Sequence, residues 1–341
     1  MSETFAVAVV GATGLVGEAM VNVLEERNFP VSELYPLASH RSLGKTVTFR
    51  SQALPVGDLA TFDFSKVQLA LFSAGSEVSR EHAPRAAAAG CIVIDNTSEF
   101  RYESDVPLVV PEVNAHAIAQ YTARNIIANP NCSTIQMLVA LKPIHDAVGI
   151  ERINVATYQS VSGAGREAVE ELASQSAALL SGQGRVKARV MPKQIAFNCL
   201  PQIDAFQDNG YTREEMKMVW ETHKIMEDDS IRVNPTTVRV PVFFGHSEAI
   251  HIETRRKITA AEARALLRKA PGVEVVDERR PGGYPTAATE AANRDTVYVG
   301  RIREDISTRH GLNLWVVADN IRKGAATNSV QIAEALVREH I

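Results

Sequence analysis

The chain has 341 residues, 45% of them hydrophobic and 22% charged, and a formal net charge of −4 at pH 7. This length and composition predict a globular protein with a substantial core, divided into two domains. The weak negative charge argues against a nucleic-acid partner, and without about 18 consecutive apolar residues or a basic segment before the apolar N-terminal stretch we expect a cytoplasmic protein with no membrane partner.

The first predicted elements are a strand, a glycine-rich turn and a helix, from the successive segments FAVAVV, GATGLVG and EAMVNVLEERN. Gly11, Gly14 and Gly17 have GxxGxxG spacing, which departs from the GxGxxG of dinucleotide-binding proteins. Glycines let the backbone approach a pyrophosphate, and the helix N-terminus supplies N–H donors. A tight turn without a ligand is the alternative, but its place at the start of a βαβ pattern favours nucleotide binding.

A second strand, SELYPLAS, is followed by the segment SHRSLGK, which contains no carboxylate. Rossmann domains that bind NAD often have an acidic residue here for the ribose 2′-hydroxyl. Ser39, Arg41, Ser42 and Lys45 could instead hold a 2′-phosphate. A solvated basic loop is the alternative interpretation, and we predict NADP rather than NAD.

The remaining strand-like segments predict an α/β fold with two domains. VQLALFSAG and GCIVIDNTS, separated by an alanine-rich segment, continue the alternation of a Rossmann-type dinucleotide-binding domain over residues 1–130. The C-terminal helix, about 320–341, is expected to return to it. Residues 131–319 predict a mixed, mainly antiparallel α+β domain, with strand-like ERINVATYQSVSGAG, TTVRVPVFF, EAIHIETRRKI, TVYVGRIRED and NLWVVADN and helices near 166–181, 212–226 and 260–270.

Cys132 lies in the segment NPNCST, at the predicted domain junction. The three cysteines are widely spaced and contain no CxxC pair, which argues against disulfides and a metal site. A helix starting at Ser133 would direct backbone N–H groups toward the Cys132 sulfur and stabilise a thiolate. The alternative is a small buried hydrophobe, which we expect for Cys91 and Cys199. Arg239 and His246, in RVPVFFGHSE, are candidate partners.

The motifs GATGLVG, SHRSLGK, NPNCST, YQSVSGAG, REEMK, RVPVFFGHSE and ADNIRKGAA resemble, in order and over essentially the whole chain, those of bacterial-type aspartate-β-semialdehyde dehydrogenases. The resemblance implies NADP-dependent, phosphate-requiring interconversion of L-aspartate 4-semialdehyde and L-4-aspartyl phosphate, in the biosynthesis of lysine, methionine, threonine and diaminopimelate. Cys132 would form a thioacyl intermediate, His246 would be the acid and base, and Gln159 would orient the substrate.

The resemblance also implies partners for each charged group of the substrate. Arg239 would bind the carboxylate through its planar guanidinium. Glu214 would bind the amine, although the adjacent Glu215 leaves that assignment open by one residue. The implied phosphate ligands are Arg101, Asn131 and Lys217. An isolated charged residue is usually a solvated surface group, so only the motif series favours these roles.

Cofactor contacts and a homodimer, with its interface on the second domain, are implied in the same way. The implied contacts are Gly11, Thr13, Gly14, Leu15, Val16, Ser39, Arg41, Ser42, Ser73, Gly75, Ser162, Gly163 and Asn320. For the SGAG glycines, a plain strand-to-helix turn is the alternative. Three histidines match no catalytic position and are expected to be structural or exposed: His40, His251 and His310.

Other functions are weighed against this one. N-acetylglutamyl-phosphate reductase and glyceraldehyde-3-phosphate dehydrogenase share a Rossmann domain, a cysteine thioester and a histidine, but REEMK and RVPVFFGHSE favour aspartate semialdehyde. A catalytically silent paralogue acting as a binding protein would be supported by loss of the cysteine or histidine, and both are present. A nucleotide-sensing regulator would leave the motifs of the second domain unexplained.

Overall fold

The computed structural model describes residues 4–341, which form two compact units. The first comprises residues 4–131 and Ala325–Ile341, and the second Cys132–Gly324. Each unit is built on a six-stranded sheet. The predicted fold class, a Rossmann-type domain with a mixed α+β domain, is confirmed. The chain returns to the first unit at Ala325, and Asn320 is hydrogen-bonded within the second unit.

The strands and helices have the following bounds. The strands of the first unit are β1 Phe5–Val10, β2 Val31–Ala38, β3 Thr46–Phe49, β4 Gln52–Pro55, β5 Gly57–Asp58, β6 Leu69–Phe72, β7 Ile92–Asp95 and β8 Ile126–Ala128. Those of the second are β9 Ile150–Gln159, β10 Arg232–Arg239, β11 His246–Thr254, β12 Val273–Val275, β13 Val297–Glu304 and β14 Gly311–Ala318. The helices are α1 Leu15–Glu26, α2 Ser76–Ala88, α3 Pro111–Asn114, α4 Cys132–Val148, α5 Arg166–Leu180, α6 Arg213–Met226, α7 Ala260–Leu267 and α8 Thr327–Glu339.

The first sheet is parallel, in the order β5-β2-β1-β6-β7-β8. Its central strands are short apolar runs, as expected for strands that helices cover on both faces. Helices α1 and α8 pack against each other, and their apolar faces join the core of β1, β6 and β7. This arrangement places the turn after β1 at the carboxyl edge of the sheet, where parallel α/β sheets bind ligands.

The second sheet is mixed, in the order β10-β9-β11-β14-β13-β12. β9 pairs in parallel with β10 and antiparallel with β11, and β14 is antiparallel to both β11 and β13. Helix α4 packs on this sheet. The strands predicted from ERINVATYQSVSGAG and TTVRVPVFF end earlier than expected, at Gln159 and Arg239, because the chain turns there into a short helix over Val161–Ala164 and an irregular segment. The polar residues after these strands therefore lie at one sheet edge.

Two of the cysteines lie in contrasting environments. Cys91 is fully buried, and burial raises the pKa of its thiol to about 12, in agreement with an inert core residue. The prediction of a buried Cys199 is wrong, because its side chain is exposed. The next residue, Leu200, is buried and bonded through its backbone to Arg239. In this locally extended segment successive side chains point to opposite sides, so Cys199 faces solvent.

Gly17 provides a test of the turn after β1. A Cβ atom at this position would overlap the carbonyl group of Gly11, to which α1 is closely apposed. We expect Gly17→Ala to lower the free energy of unfolding by about 1–3 kcal/mol, as overpacking does, in urea denaturation followed by circular dichroism. Gly184→Ala is the control, since its Cβ would meet no atom within 4 Å. Equal stability of both variants would contradict the close approach.

Candidate active site

A cleft of about 500 Å³ lies at the carboxyl edge of the first sheet. Gly11 adopts a φ of +83°, in the region that favours glycine, and a Cβ there would lie 3.1 Å from the Ser73 hydroxyl and the Ala74 nitrogen. Helix α1 begins one residue after Gly14, which carries no side chain to cap the first turn. The start of a helix favours an anion, and the residues fit the pyrophosphate of a dinucleotide.

The structure distinguishes among the residues predicted to contact the cofactor. Those that line the cleft are Gly11, Thr13, Gly14, Ser39, Ser42 and Ser73. Thr13 and Ser42 are linked by a hydrogen bond of 3.2 Å between their hydroxyls. Four others, Leu15, Val16, Arg41 and Gly75, are chain neighbours of this lining and not part of it. Arg41 is exposed in a short helical turn over His40–Ser42, immediately after β2.

Three predicted site residues of the second unit meet at one end of its sheet. Gln159 and Arg239 end the parallel strands β9 and β10 and pair directly, and His246 begins the antiparallel strand β11 beside Gln159. All three side chains are buried. The Gln159 Nε2 atom donates to Glu214 Oε1 at 3.0 Å and lies 3.4 Å from His246 Nε2. Residues 159, 214, 239 and 246 thus form one cluster.

Cys132 is the first residue of α4 and is half-buried. The backbone N–H groups of the first helical turn favour a negative charge at this position. Arg239 interacts electrostatically with Cys132, which also favours a thiolate. A Cβ on Gly324 would lie 2.7 Å from the Cβ of Cys132, so the chain at 324 passes directly against the cysteine. The sulfur therefore belongs to a confined, electropositive environment.

The adjacent residues Glu214 and Glu215 have different environments on α6. Glu215 closes a capping box with Thr212 and accepts the Thr237 N–H at 3.0 Å. Glu214 instead contacts Gln159 and accepts from Lys217 Nζ at 2.9 Å. Glu214 is therefore the carboxylate that contacts the cluster, and Glu215 hydrogen-bonds α6 to the sheet.

Lys217 is held by two carboxylates, Glu214 and Asp204, each 2.9 Å from its Nζ atom. Burial opposes the charge of the ammonium, but the two carboxylates outweigh it and raise the pKa of Lys217. The lysine is consequently cationic across the physiological pH range. Burial lowers the pKa of the Arg239 guanidinium, an effect opposed by Glu214.

His246 lies completely buried at the centre of the cluster. Burial, together with the positive charge of Arg239, lowers the pKa of the imidazole to about 3, so the ring is neutral near pH 7. The Ser160 backbone N–H donates to His246 Nδ1 at 3.1 Å. A neutral ring that accepts at Nδ1 carries its proton on Nε2. This nitrogen is on the side of Gln159 and Gly163.

The second-unit residues predicted to contact the cofactor lie against His246 and Arg239. The Asn320 Oδ1 atom accepts from the Ser160 hydroxyl at 2.9 Å, the Ser162 hydroxyl at 3.2 Å and the Gly245 N–H at 3.0 Å. A Cβ on Gly163 would lie 2.9 Å from Arg239 Nη1. Glycine at 163 thus leaves space beside the guanidinium and imidazole.

The two other predicted phosphate ligands, Arg101 and Asn131, are buried residues of the first unit. Arg101 Nη2 donates to the Asn96 carbonyl at 2.8 Å. The neighbouring Asn129 bonds Asn96 and Asn328, so the first asparagine of NPNCST has a structural role.

The three histidines that are expected to be structural or exposed have separate locations. His40 is exposed and lines the cleft of the first unit, His251 pairs with Asp305, and His310 is half-buried. Over residues 4–341 no group of three or more histidine, cysteine, aspartate or glutamate residues is arranged to hold a metal ion. Within the same part of the chain, no helix is long and apolar enough to cross a membrane.

Comparison with known proteins identifies the family. Residues 6–121 match the semialdehyde dehydrogenase NAD binding domain, and residues 141–323 match the semialdehyde dehydrogenase dimerisation domain. A Legionella pneumophila aspartate-semialdehyde dehydrogenase is 68% identical over 341 residues, covering 100% of this chain and 98% of that protein. The chain belongs to the aspartate-semialdehyde dehydrogenase family. It is therefore an oxidoreductase of amino-acid biosynthesis with a nicotinamide dinucleotide cofactor.

Solved structures of the family show the same fold. Aspartate semialdehyde dehydrogenase II of Vibrio cholerae, complexed with ASA, has a TM-score of 0.98 and 60% identity, with 100% of each chain covered. The Candida albicans aspartate semialdehyde dehydrogenase with NADP has a TM-score of 0.74 and 25% identity, with 98% of each chain covered. These findings favour aspartate-semialdehyde dehydrogenase over the other cysteine-thioester dehydrogenases considered from the sequence.

Several residues of the two sites were missed by sequence reasoning. Asp58 lines the cofactor cleft because β5 pairs with β2 beside the Ser39 loop. Ser160 holds His246, and Gly324 packs on Cys132. The motifs containing Ser160 and Gly324 were visible, but small residues in a loop give no signal of what they touch. Only Asp58, a lone acid at the end of a two-residue strand, had no motif around it.

The Glu214 and Glu215 pair gives a second prediction. Glu215→Ala leaves two buried N–H groups without their acceptor, so the free energy of unfolding should fall by about 1–3 kcal/mol. Glu214→Ala should leave stability less affected but remove most turnover, because Gln159 and Lys217 lose their shared partner. Urea denaturation and steady-state kinetics on both variants measure this contrast. Equal activity loss at equal stability in the two variants would refute the division of roles.

Proposed function

We propose that the protein catalyses the NADP-dependent interconversion of L-aspartate 4-semialdehyde and L-4-aspartyl phosphate, with inorganic phosphate as the second product or substrate. The observation that carries this proposal is the cluster of Cys132, Gln159, Glu214, Arg239 and His246 in the second unit, on a chain of this family. A buried cluster with a nucleophile, an imidazole, a guanidinium and an acid matches a substrate with an electrophilic carbon, a carboxylate and an amine.

In the reductive direction, the Cys132 thiolate attacks the acyl carbon of L-4-aspartyl phosphate, a C–S bond forms, and the C–O bond to phosphate breaks. The released phosphate takes up a proton from solvent. The hydride that reduces the thioester to the hemithioacetal anion would come from the reduced nicotinamide, which the proposed cofactor-binding residues would hold. Cleavage of the C–S bond then releases the aldehyde and returns Cys132 to the thiolate. The N-terminus of α4 and Arg239 support the thiolate at both ends of the cycle.

His246 is the proposed acid and base for the carbonyl oxygen. Its contact with the Ser160 N–H leaves the proton on Nε2, so the reductive direction starts with a donor ready for the oxygen that gains negative charge. Burial and the charge of Arg239 keep the ring neutral. Gln159, between Glu214 and His246, is proposed to orient the substrate.

The proposed substrate ligands follow the charges of the cluster. Arg239 suits the carboxylate, since a guanidinium binds it through two parallel hydrogen bonds. Glu214 is the proposed partner of the amine, in preference to Glu215, whose oxygens are occupied by backbone N–H groups. Lys217, kept cationic by Glu214 and Asp204, is a proposed phosphate ligand. Arg101 and Asn131 stay proposed phosphate ligands from the resemblance.

NADP is the proposed cofactor because Arg41 and Ser42 follow β2, where a Rossmann domain contacts the adenosine ribose. The proposed contacts in the first unit are Gly11, Thr13, Gly14, Leu15, Val16, Ser39, Arg41, Ser42, Ser73 and Gly75, and in the second Ser162, Gly163 and Asn320. The Candida albicans relative with NADP supports this choice. Asp58 accepts the Ala60 N–H at 3.1 Å, so its carboxylate is partly occupied by the protein itself.

A homodimer is proposed through the outward face of the second sheet. On this face Tyr158 is 38% exposed, Tyr284 is 40% exposed, and the rings of Tyr158 and Trp315 are 5.6 Å apart. Exposed aromatic side chains of this kind are enriched in protein interfaces. The match to a dimerisation domain over residues 141–323 supports the same surface. Light scattering after size-exclusion chromatography measures the oligomeric state.

The reaction is tested with aspartate semialdehyde, NADP and phosphate, by absorbance of the reduced nicotinamide. Activity that requires all three components is expected, and its absence in a folded protein would refute the proposed reaction. Cys132→Ser should keep the fold and NADP binding but lose most turnover, because serine without an activating base is a far weaker nucleophile. Cys199→Ser, an exposed cysteine, is the matched control and should remain active. Native activity of Cys132→Ser would rule out the thioacyl intermediate.

Cofactor preference is tested at Arg41. Arg41→Ala removes one charged contact with the 2′-phosphate, which is worth about 1.5–3 kcal/mol, or roughly 10–100-fold in affinity. The dissociation constant for NADP should rise by that factor, while that for NAD, which has no 2′-phosphate, should stay nearly constant. Isothermal titration calorimetry with both nucleotides gives the comparison. An unchanged ratio of the two constants would remove Arg41 from the phosphate site.

A further inference from the structure

In the sheet of the second unit, a second row of polar side chains lies next to the row formed by Arg239, Gln159 and His246. Because side chains alternate along strands, residues two positions further along share a face. One step below Arg239, Gln159 and His246 are Thr237, Thr157 and Glu248, which are paired across the strands and fully buried. The next row is apolar and contains Val155, Ile250 and Leu314. The sheet thus tolerates apolar packing one step further from the cluster.

Glu248 faces Gln136, a buried residue of α4 located one helical turn after Cys132. Gln136 Nε2 is 3.5 Å from the His246 carbonyl oxygen. Among residues 4–341, both Glu248 carboxyl oxygens and Gln136 Oε1 are buried and have no hydrogen-bond partner. A protonated carboxyl would supply the O–H donor that the amide oxygen lacks. Gln136 therefore lies one turn behind Cys132, and Glu248 lies one row behind His246.

Burial favours the neutral form of the Glu248 carboxyl. Complete burial raises its pKa well above the ordinary value, and Gln136 opposes that effect. In the adjacent row of the sheet, the ionisable side chains are those of Arg239 on β10 and His246 on β11. A buried polar pair costs free energy that apolar side chains of similar size avoid. Its position directly behind the nucleophile and the imidazole indicates a positioning role.

We propose that Glu248 and Gln136 form a buried acid–amide pair that holds the helix of Cys132 in register with the strand of His246. The inference rests on the proposed function, since it assigns positioning residues to that reaction. Helix α4 carries Cys132 and Gln136 on one face, and β11 carries His246 and Glu248 on one face. A contact between Gln136 and Glu248 therefore sets the distance between Cys132 and His246. Neither residue touches the substrate in this scheme.

The test uses Glu248→Gln, Glu248→Leu and Gln136→Leu. All three are made in the Cys199→Ser background, which removes the exposed cysteine, so that alkylation can be followed at Cys132. Glutamine can donate to Gln136 Oε1 as the protonated acid does, so Glu248→Gln should keep native kcat. The two leucine variants lose the pair and should lose about 10–100-fold in kcat, with little change in KM or in melting temperature. Thr237→Val is the control, because it changes a buried hydroxyl of the same row outside the pair.

The rate of Cys132 alkylation by iodoacetamide, followed by mass spectrometry, is a readout that does not depend on the identity of the substrate. It should change in both leucine variants and stay native in Glu248→Gln and Thr237→Val. The double variant Glu248→Leu with Gln136→Leu should be no worse than either single change, as expected for one shared interaction.

Native kcat and native alkylation in folded Glu248→Leu and Gln136→Leu would overturn the proposal. A loss of kcat that follows the fall in melting temperature, and is equally large in Thr237→Val, would also overturn it. Gln136→Leu decides alone if Glu248→Leu does not fold. An inactive wild-type protein with altered alkylation in the leucine variants would refute the proposed reaction but not the pair. Native alkylation in an active enzyme with impaired leucine variants would refute positioning of Cys132.

Discussion

The pairing of β9 with β10 and β11 is the constraint on which the candidate active site depends. Because β9 and β10 run parallel, Gln159 and Arg239 end at the same edge. Because β11 runs antiparallel to β9, its first residue, His246, lies at that edge too. A slip of one residue in either pairing would turn a side chain of the cluster to the opposite face. The register of three strands therefore decides which groups meet.

Helix α4 carries Cys132, the proposed nucleophile, and α6 carries a carboxylate and an ammonium group, Glu214 and Lys217. The capping box of Thr212 and Glu215 sets where α6 begins, and the Thr237 N–H anchors it to β10. With α6 fixed, Glu214 and Lys217 are one turn apart on the face that meets Gln159. The hydrogen bonds of Glu215 thus stabilise the start of α6 and also place Glu214 at the cluster.

The electrostatics of the cluster favour separation of roles. The positive charge of Arg239 lowers the pKa of His246 and supports a thiolate at Cys132. The same cation therefore adds to the effect of burial on the imidazole and would stabilise a negative charge on the sulfur. Glu214 opposes the effect of Arg239 on the imidazole, and Glu214 and Asp204 both pair with Lys217. A neutral donor beside an anionic nucleophile is a suitable arrangement for acyl transfer.

The sequence alone determined the fold class, the family and the candidate nucleophile, because apolar periodicity, glycine spacing and ordered motifs are local properties of the chain. It left open whether Glu214 or Glu215 faces the cluster, since neighbouring acids in REEMK look alike until α6 is capped and docked. Asp58 in the cofactor cleft, Gly324 against Cys132, the exposure of Cys199 and the Glu248–Gln136 pair were decided only by the tertiary structure. Each depends on contacts between residues distant in sequence, or on which side of a short segment meets the core, and a linear pattern contains neither.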